Sequence, residues 1–168
     1  MPPLPTPENN IASVRSGIEE VWNGSWDAAA KYYHPDILVS APPQTGRLDL
    51  DGFKELHAML HAAFPDFRMS VDRIFGEDDR VVARWTARGT HGGPFMGCPA
   101  SGRRFEVMEA GVFRLEHGKA KEVWFIRNGL GQMQQLGLMP KGPPPKALLA
   151  VIRAVERLGA LMPARRKG

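Results

Sequence analysis

The stretch Glu122-Val-Trp-Phe-Ile-Arg-Asn-Gly-Leu-Gly-Gln-Met-Gln-Gln-Leu-Gly137 decides the fold of this chain. Its first half is rich in aromatic and β-branched residues, which is typical of a strand. Its second half is typical of a short helix. We therefore predict a strand over residues 120–128 that runs directly into a helix over residues 129–136.

Upstream of this stretch the apolar residues alternate with polar ones, which indicates more strands. Acidic and glycine-containing turns, Glu77-Asp-Asp79 and His117-Gly-Lys119, separate neighbouring segments. The sequence predicts four long strands over residues 67–75, 79–91, 103–115 and 120–128. Consecutive strands joined by short turns favour an antiparallel meander.

The N-terminal half is mostly helical in pattern. Apolar residues recur at helical spacing over residues 11–22, and a second short helix is predicted from Trp26 to Tyr33, where His34-Pro-Asp36 stops it. The pattern then predicts a short strand over residues 37–40 and another helix over about residues 50–64. Helices followed by an antiparallel meander indicate an α+β fold, with the helices packed on one face of a bent sheet.

Strand alternation predicts which side chains face the interior. In residues 80–91 one parity is largely apolar and ends at His91, and in residues 103–115 the odd positions are apolar except for Glu109. In residues 120–128 the even positions are Glu122, Trp124, Ile126 and Asn128, which we place on the inward face. A β-bulge would reverse these assignments locally.

Composition excludes several classes of protein. The 168 residues are 43% hydrophobic and 24% charged, which suits one compact domain with a core. The net charge of +4 comes without a nucleic-acid-binding motif, so we predict no nucleic-acid partner. Cys98 is the single cysteine, which excludes an internal disulfide, and we interpret it as inert.

Three regions follow from the composition along the chain. Residues 1–9 form a proline-rich tail, residues 10–140 the main domain, and residues 141–168 a C-terminal extension with an amphipathic helix and a basic tail. We expect that helix to pack on the domain or on another subunit; a protein-interaction role and a membrane-surface role are the alternatives. The N-terminus has neither the basic n-region nor the apolar h-region of a secretory signal, so we expect a cytoplasmic protein.

Several motifs together resemble the SnoaL-like polyketide cyclases of the NTF2-like superfamily. They are Tyr33-His-Pro-Asp-Ile37, Ala62-Ala-Phe-Pro-Asp66, Val82-Ala-Arg-Trp-Thr-Ala-Arg-Gly-Thr-His91, the loop of residues 93–103, Phe113-Arg-Leu-Glu-His-Gly-Lys119 and the closing stretch. The resemblance spans roughly residues 10–137. It implies an NTF2-like cone around an apolar cavity, a homodimer or higher oligomer, and aldol-type ring closure of polyketides without metal or organic cofactor.

In that family a catalytic Asp sits four residues after the Trp, and here this position is Asn128. An amide cannot exchange a proton near neutral pH, so Asn128 could only donate a hydrogen bond or be a satisfied residue at a strand end. Glu109 is the best replacement acid, unless a bulge turns it outward into a salt bridge. His91 could orient substrate or relay protons with Glu109, or it could be a buried structural histidine.

Aromatic and methionine side chains are candidates for the cavity wall, although such residues are more often ordinary core. The predicted substrate-binding residues are Trp85, Trp124, Phe113, Phe64, His57, Phe95 and Met133. His57 and His61 lie four residues apart on one helix, but no third ligand is evident, so we predict no metal site.

Two functions remain at this level. The first is a cofactor-independent cyclase or related acid/base enzyme acting on a polyketide-like or other hydrophobic small molecule. The alternative is a non-catalytic binding protein for an apolar aromatic metabolite, because Asn128 replaces the family's acid.

Overall fold

The computed structural model describes residues 6–41, 46–142 and 146. The N-terminal elements are α1 (Pro7–Gly17), a π-helical turn (Ile18–Trp22), a 3₁₀ turn (Trp26–Ala28), α2 (Ala29–Tyr32), β1 (Tyr33–Ser40), β2 (Arg47–Leu48) and α3 (Leu50–Ala63). The remaining elements are β3 (Arg68–Glu77), β4 (Arg80–Thr90), β5 (Arg104–Glu116), β6 (Lys119–Ile126) and α4 (Gly129–Gln135).

The described strands form one six-stranded sheet in the order β2-β1-β6-β5-β4-β3. The predicted meander β3-β4-β5-β6 is antiparallel throughout. The structure adds a parallel pairing of β1 with β6, so the sheet is mixed. The predicted α+β class and the packing of helices on a sheet are confirmed.

The first helix begins earlier than the sequence predicted. Thr6 is its N-cap, with its hydroxyl accepting a hydrogen bond from the Asn9 backbone N–H, and Pro7 is the first helical residue. A proline is favoured there because its missing N–H would have no helical partner in any case. Residues 7–9, which the sequence analysis assigned to the proline-rich tail, therefore belong to this helix.

Strand β1 also begins earlier than predicted, at Tyr33 rather than Ile37. The pairing with β6 is irregular between Tyr33 and Leu38. Pro35 lies within this irregular segment, where its lack of a backbone N–H removes no regular ladder bond. The proline therefore interrupts the pairing but does not delay the strand.

A bulge in β6 changes which side chains face inward. Leu115 pairs with Ala120 but Arg114 pairs with Glu122, so Lys121 is the extra residue. One extra residue reverses the alternation after it. Val123 is accordingly buried, while Ile126 is 65% exposed.

Helix α3 covers the inner face of the sheet. Its N-cap is Asp49, which accepts from the Gly52 N–H, and Phe64 follows its last residue. The buried positions of the helix are Phe53, Leu56, His57, Leu60 and Ala63. Burying each large apolar side chain contributes roughly 1.5–3 kcal/mol to folding, so this stripe fixes the helix on the sheet.

The chain divides into two compact units, Met1–Leu138 and Met139–Gly168, and every element named above belongs to the first. The amphipathic helix predicted within residues 141–168 lies outside the described residues, apart from Lys141, Gly142 and Lys146. No described helix combines the length and the apolar character that a membrane span requires.

Candidate active site

A small apolar cavity lies between α3, the π-helical turn and the inner face of the sheet. Its lining residues are Trp22, Leu56, Leu60, Phe67, Met69, Trp85, Glu109, Phe125 and Arg127. The free space inside is about 20 Å³, which is room for roughly one water molecule. Aromatic and aliphatic side chains dominate the wall, and two charged residues interrupt it.

Glu109 is one of these two residues and lies on the inner face of β5, as the alternation predicted. The residue is only 8% exposed. Its Oε2 accepts a hydrogen bond from the Trp85 indole Nε1–H at 3.3 Å, and its Oε1 accepts one from the Arg127 Nε–H, also at 3.3 Å. The carboxylate is therefore held by one donor on each oxygen.

Arg127 is the second charged residue of the cavity wall. It directly follows β6, and its side chain is 16% exposed, against 7% for that of Glu109. A guanidinium is always charged in proteins, so the carboxylate is not left in the apolar wall without a counter-charge. The pair places an anion and a cation side by side at a surface that a bound molecule would touch.

A second, more open hollow of about 390 Å³ lies on the outer side of the sheet. It is lined by Arg84, Met108, Glu109, Ala110, Ile126, Arg127 and Asn128. Ala110 and Ile126 are the last paired residues of β5 and β6 at this end, so the two strands part here. Glu109 and Arg127 line both spaces, and this pair therefore stands between the cavity and the outer hollow.

His91 lies inside the fold but does not line either of these spaces. It is fully buried, and its Nδ1 accepts a hydrogen bond from the Ser101 backbone N–H at 3.2 Å. Among the described residues its Nε2 has no hydrogen-bond partner. The ring packs against Phe64 and Phe95, with centroids 5.6 and 6.2 Å away. The predicted relay between His91 and Glu109 is not what the structure shows.

Asn128 is exposed, and its side chain caps α4. The Oδ1 atom accepts a hydrogen bond from the Gly131 backbone N–H at 3.0 Å. Because of the bulge in β6, Trp124 and Asn128 do not line the inner cavity, so their predicted inward placement was wrong. Of the two predicted roles of Asn128, the structure shows the hydrogen-bonded polar residue at a strand end.

The other predicted substrate-binding residues fall into four groups. Trp85 lines the cavity. Phe64 and Phe95 surround His91, and Phe113 and Met133 belong to the packing of the core. His57 lies next to the cavity, with its ring 5.3 Å from that of Trp22.

The two helix histidines have a structural role in this arrangement. His57 Nε2 donates to the Val21 carbonyl at 2.9 Å, and His61 Nε2 donates to the Trp22 carbonyl at 3.1 Å. Burial is the main cause that lowers the pKa of both rings below the ordinary value. In the part of the chain that the structure describes, no group of three His, Cys, Asp or Glu side chains could hold a metal ion.

Sequence reasoning missed Arg127 and Phe125, which face the cavity together with the previously unassigned Trp22. Once the extra residue in β6 is known, alternation from the buried Val123 brings Phe125 and Arg127 to the inner face. A signal for that bulge was present, since the alternation of β6 places Glu122 rather than Val123 on the inward set.

Comparisons with known proteins agree with this architecture. The profile of the SnoaL-like polyketide cyclase family matches residues 12–136. AclR of Streptomyces galilaeus, described as a candidate hydroxylase, is 27% identical with a TM-score of 0.73, covering 92% of this chain and 94% of AclR. A search of curated protein sequences finds no match.

Two solved structures described as candidate polyketide cyclases are also similar. IdmH of Streptomyces antibioticus is 28% identical with a TM-score of 0.65, covering 79% of this chain and 99% of IdmH. A protein of Acidithiobacillus ferrooxidans is 29% identical with a TM-score of 0.68, covering 80% of this chain and 99% of its own. With the family profile matching well over half of its residues, the chain belongs to the SnoaL-like polyketide cyclase family.

Proposed function

We propose that this protein is an acid/base enzyme that acts on an apolar carbonyl compound without a cofactor, by aldol-type ring closure. Glu109 is the proposed proton-transfer group, and Arg127 the group that binds the carbonyl oxygen. The observation that carries the proposal is the Glu109–Arg127 pair in the wall of an otherwise apolar cavity. The descriptions of the relatives IdmH, as a candidate polyketide cyclase, and AclR, as a candidate hydroxylase, are consistent with small-molecule chemistry on this scaffold.

The chemistry needs a base and a stabilised oxygen. The Glu109 carboxylate takes a proton from the carbon next to a carbonyl, and the C–H electron pair moves to form an enolate. The Arg127 guanidinium stabilises the negative oxygen. The enolate carbon then attacks a second carbonyl of the same molecule, a C–C bond forms, and the resulting alkoxide takes the proton back from Glu109. No redox change occurs.

A substrate must enlarge the space that the structure shows. The cavity of about 20 Å³ has no room for a polycyclic or aromatic substrate until wall side chains move. Arg127 borders both the cavity and the outer hollow, so a rotation of its side chain would join the two spaces. We therefore propose that the substrate reaches Glu109 from the outer hollow.

The proposal gives Asn128 no part in proton transfer. Its amide caps α4 outside the cavity, and Glu109 supplies the carboxylate from another strand. This would explain how the acid position of the family could change to Asn without loss of acid/base chemistry.

Solvent deuterium exchange into an aryl-substituted β-keto ester, followed by proton NMR, tests this function. The wild-type protein should accelerate exchange at the carbon between the carbonyls, and Glu109→Gln should lose roughly 100-fold or more of that acceleration. Glu106→Gln is the matched control, because Glu106 lies on the same strand but is exposed. Equal exchange by wild type and Glu109→Gln would refute the role of Glu109.

Binding without turnover is the second candidate, favoured by the loss of the family's acid at Asn128. In that case the same probe would quench the fluorescence of Trp22 or Trp85, which line the cavity, without any acceleration of exchange.

A further inference from the structure

Trp85 and Glu109 are direct cross-strand neighbours. They form a register pair of β4 and β5, and both face the inner side of the sheet. The indole Nε1–H of Trp85 lies 3.3 Å from Glu109 Oε2. Trp85 is fully buried, so its N–H has no access to solvent and depends on this carboxylate as acceptor.

The next inward pair along the same two strands is Ala83 and Gly111, two of the smallest residues. The six-membered ring of Trp85 lies over Gly111. A Cβ atom added to Gly111 would stand 2.9 Å from Cη2 and 3.1 Å from Cζ3 of that ring. The Cε2 atom of Phe113 would also lie 3.1 Å away. Real Cβ atoms essentially never have a contact of 2.9 Å, so a side chain at residue 111 would force its surroundings to shift, and the indole ring is the nearest group.

We infer that Trp85 is a positioning residue for Glu109, and that the missing side chain of Gly111 is what allows it to be one. Arg127 donates to Oε1 while Trp85 donates to Oε2, so the carboxylate is held between a donor on β4 and a donor that directly follows β6. Trp85 thereby prevents the carboxylate from accepting hydrogen bonds from Arg127 with both of its oxygens. Lone pairs on both oxygens remain for proton transfer. This inference rests on the proposed function of Glu109.

The hydrogen bond itself is tested by NMR, independently of any activity. The four tryptophans give four indole N–H resonances in a ¹⁵N-correlated spectrum, and loss of one in Trp85→Phe assigns Trp85. That resonance should move upfield in Gly111→Ala and shift in Glu109→Gln. Gly129→Ala is the matched control, since no atom lies within 4 Å of a Cβ added there. An unchanged Trp85 resonance in Gly111→Ala and Glu109→Gln would overturn the inference.

The consequence for proton transfer is measured by deuterium exchange into the β-keto ester. Gly111→Ala and Trp85→Phe should each lower kcat by roughly 10- to 100-fold, because a small misplacement of a catalytic group has effects of this size. Gly129→Ala and the outer-face variant Trp124→Phe should retain the wild-type kcat. A shifted indole resonance with an unchanged kcat would overturn the positioning role alone.

The failure of the proposed function would look different. If the wild-type protein did not accelerate exchange at all, Glu109 would not be a base for this chemistry, and the positioning role would fall with it. In that case the shift of the Trp85 resonance in Glu109→Gln would still report the hydrogen bond.

Discussion

Replacing Arg127 by Met tests the charge pair on which the site depends. The variant keeps the length and apolar stem of the side chain but removes the cation beside Glu109. Glu109 would then retain the Trp85 N–H and lose the guanidinium. Because the Glu109 side chain is only 7% exposed, water replaces that partner poorly.

The magnitude follows from this burial. Removing one partner of a buried ion pair destabilises a protein by about 3–5 kcal/mol. The Arg127 side chain is 16% exposed and one hydrogen bond to Glu109 remains, so we expect the lower end, about 3 kcal/mol. For a chain of this size that is a fall in Tm of about 6–12 °C.

A double-mutant cycle measured by urea unfolding at pH 7 isolates the pair. Adding Glu109→Gln to Arg127→Met should recover about 2 kcal/mol, because an amide tolerates the apolar wall better than an unpaired carboxylate. Arg84→Met is the control. Arg84 and Asp72 lie 3.8 Å apart with side chains 46% and 28% exposed, so its loss should change stability by less than about 1 kcal/mol.

Either of two results would refute this reasoning. One is an Arg127→Met variant that loses no more stability than Arg84→Met. The other is a coupling energy between residues 109 and 127 below about 0.5 kcal/mol, which is the ordinary scatter of independent sites.

Three further predictions concern the rest of the molecule. The pKa values of His57 and His61 are lowered in the folded protein, so as the pH falls the unfolded chain binds protons at these rings before the folded protein does. Their contribution to the free energy of unfolding should be fully present above about pH 6.5 and should decrease as the pH drops below that value. Thermal unfolding at pH 7.5 and 5.5 measures this, and a Tm that does not fall would contradict it. Asn128→Ala should lose about 1 kcal/mol in urea unfolding by removing the α4 cap, whereas Asn128→Asp should be nearly neutral; equal losses would contradict the capping role. Phe75 and Ile126, 64% and 65% exposed, lie on the outer face of the sheet. If this face joins copies of the chain, Ile126→Asp should lower the mass of the assembly measured by light scattering. An unchanged mass would exclude that contact.

Local pattern was enough to locate Glu109. Strands β4 and β5 pair over eleven consecutive residues without a shift, so their alternation holds from end to end. A carboxylate on the apolar parity of such a strand must face the interior. The same regularity placed Trp85 correctly, because nothing interrupts the period of two.

Alternation failed in β6, where one extra residue reverses it. The bulge at Lys121 depends on how β6 pairs with β5, and a pairing register belongs to two strands together, so the alternation within one strand does not specify it. Trp124 therefore faces outward, and Arg127 takes the place beside Glu109. The inward placement of His91 was right, but His91 follows the last residue of β4, whereas the register partner of Glu109 is Trp85 near the middle of that strand.

The amino-acid sequence by itself determined the helices, the meander, the α+β class and the family, because these follow from local periodicity and from motifs read along the chain. The tertiary structure alone decided the bulge in β6, the parallel pairing of β1 with β6, the small volume of the cavity and the partner of Glu109. Each of these depends on how one segment pairs with or packs against another, and the period of two within a single strand specifies neither its partner nor its register.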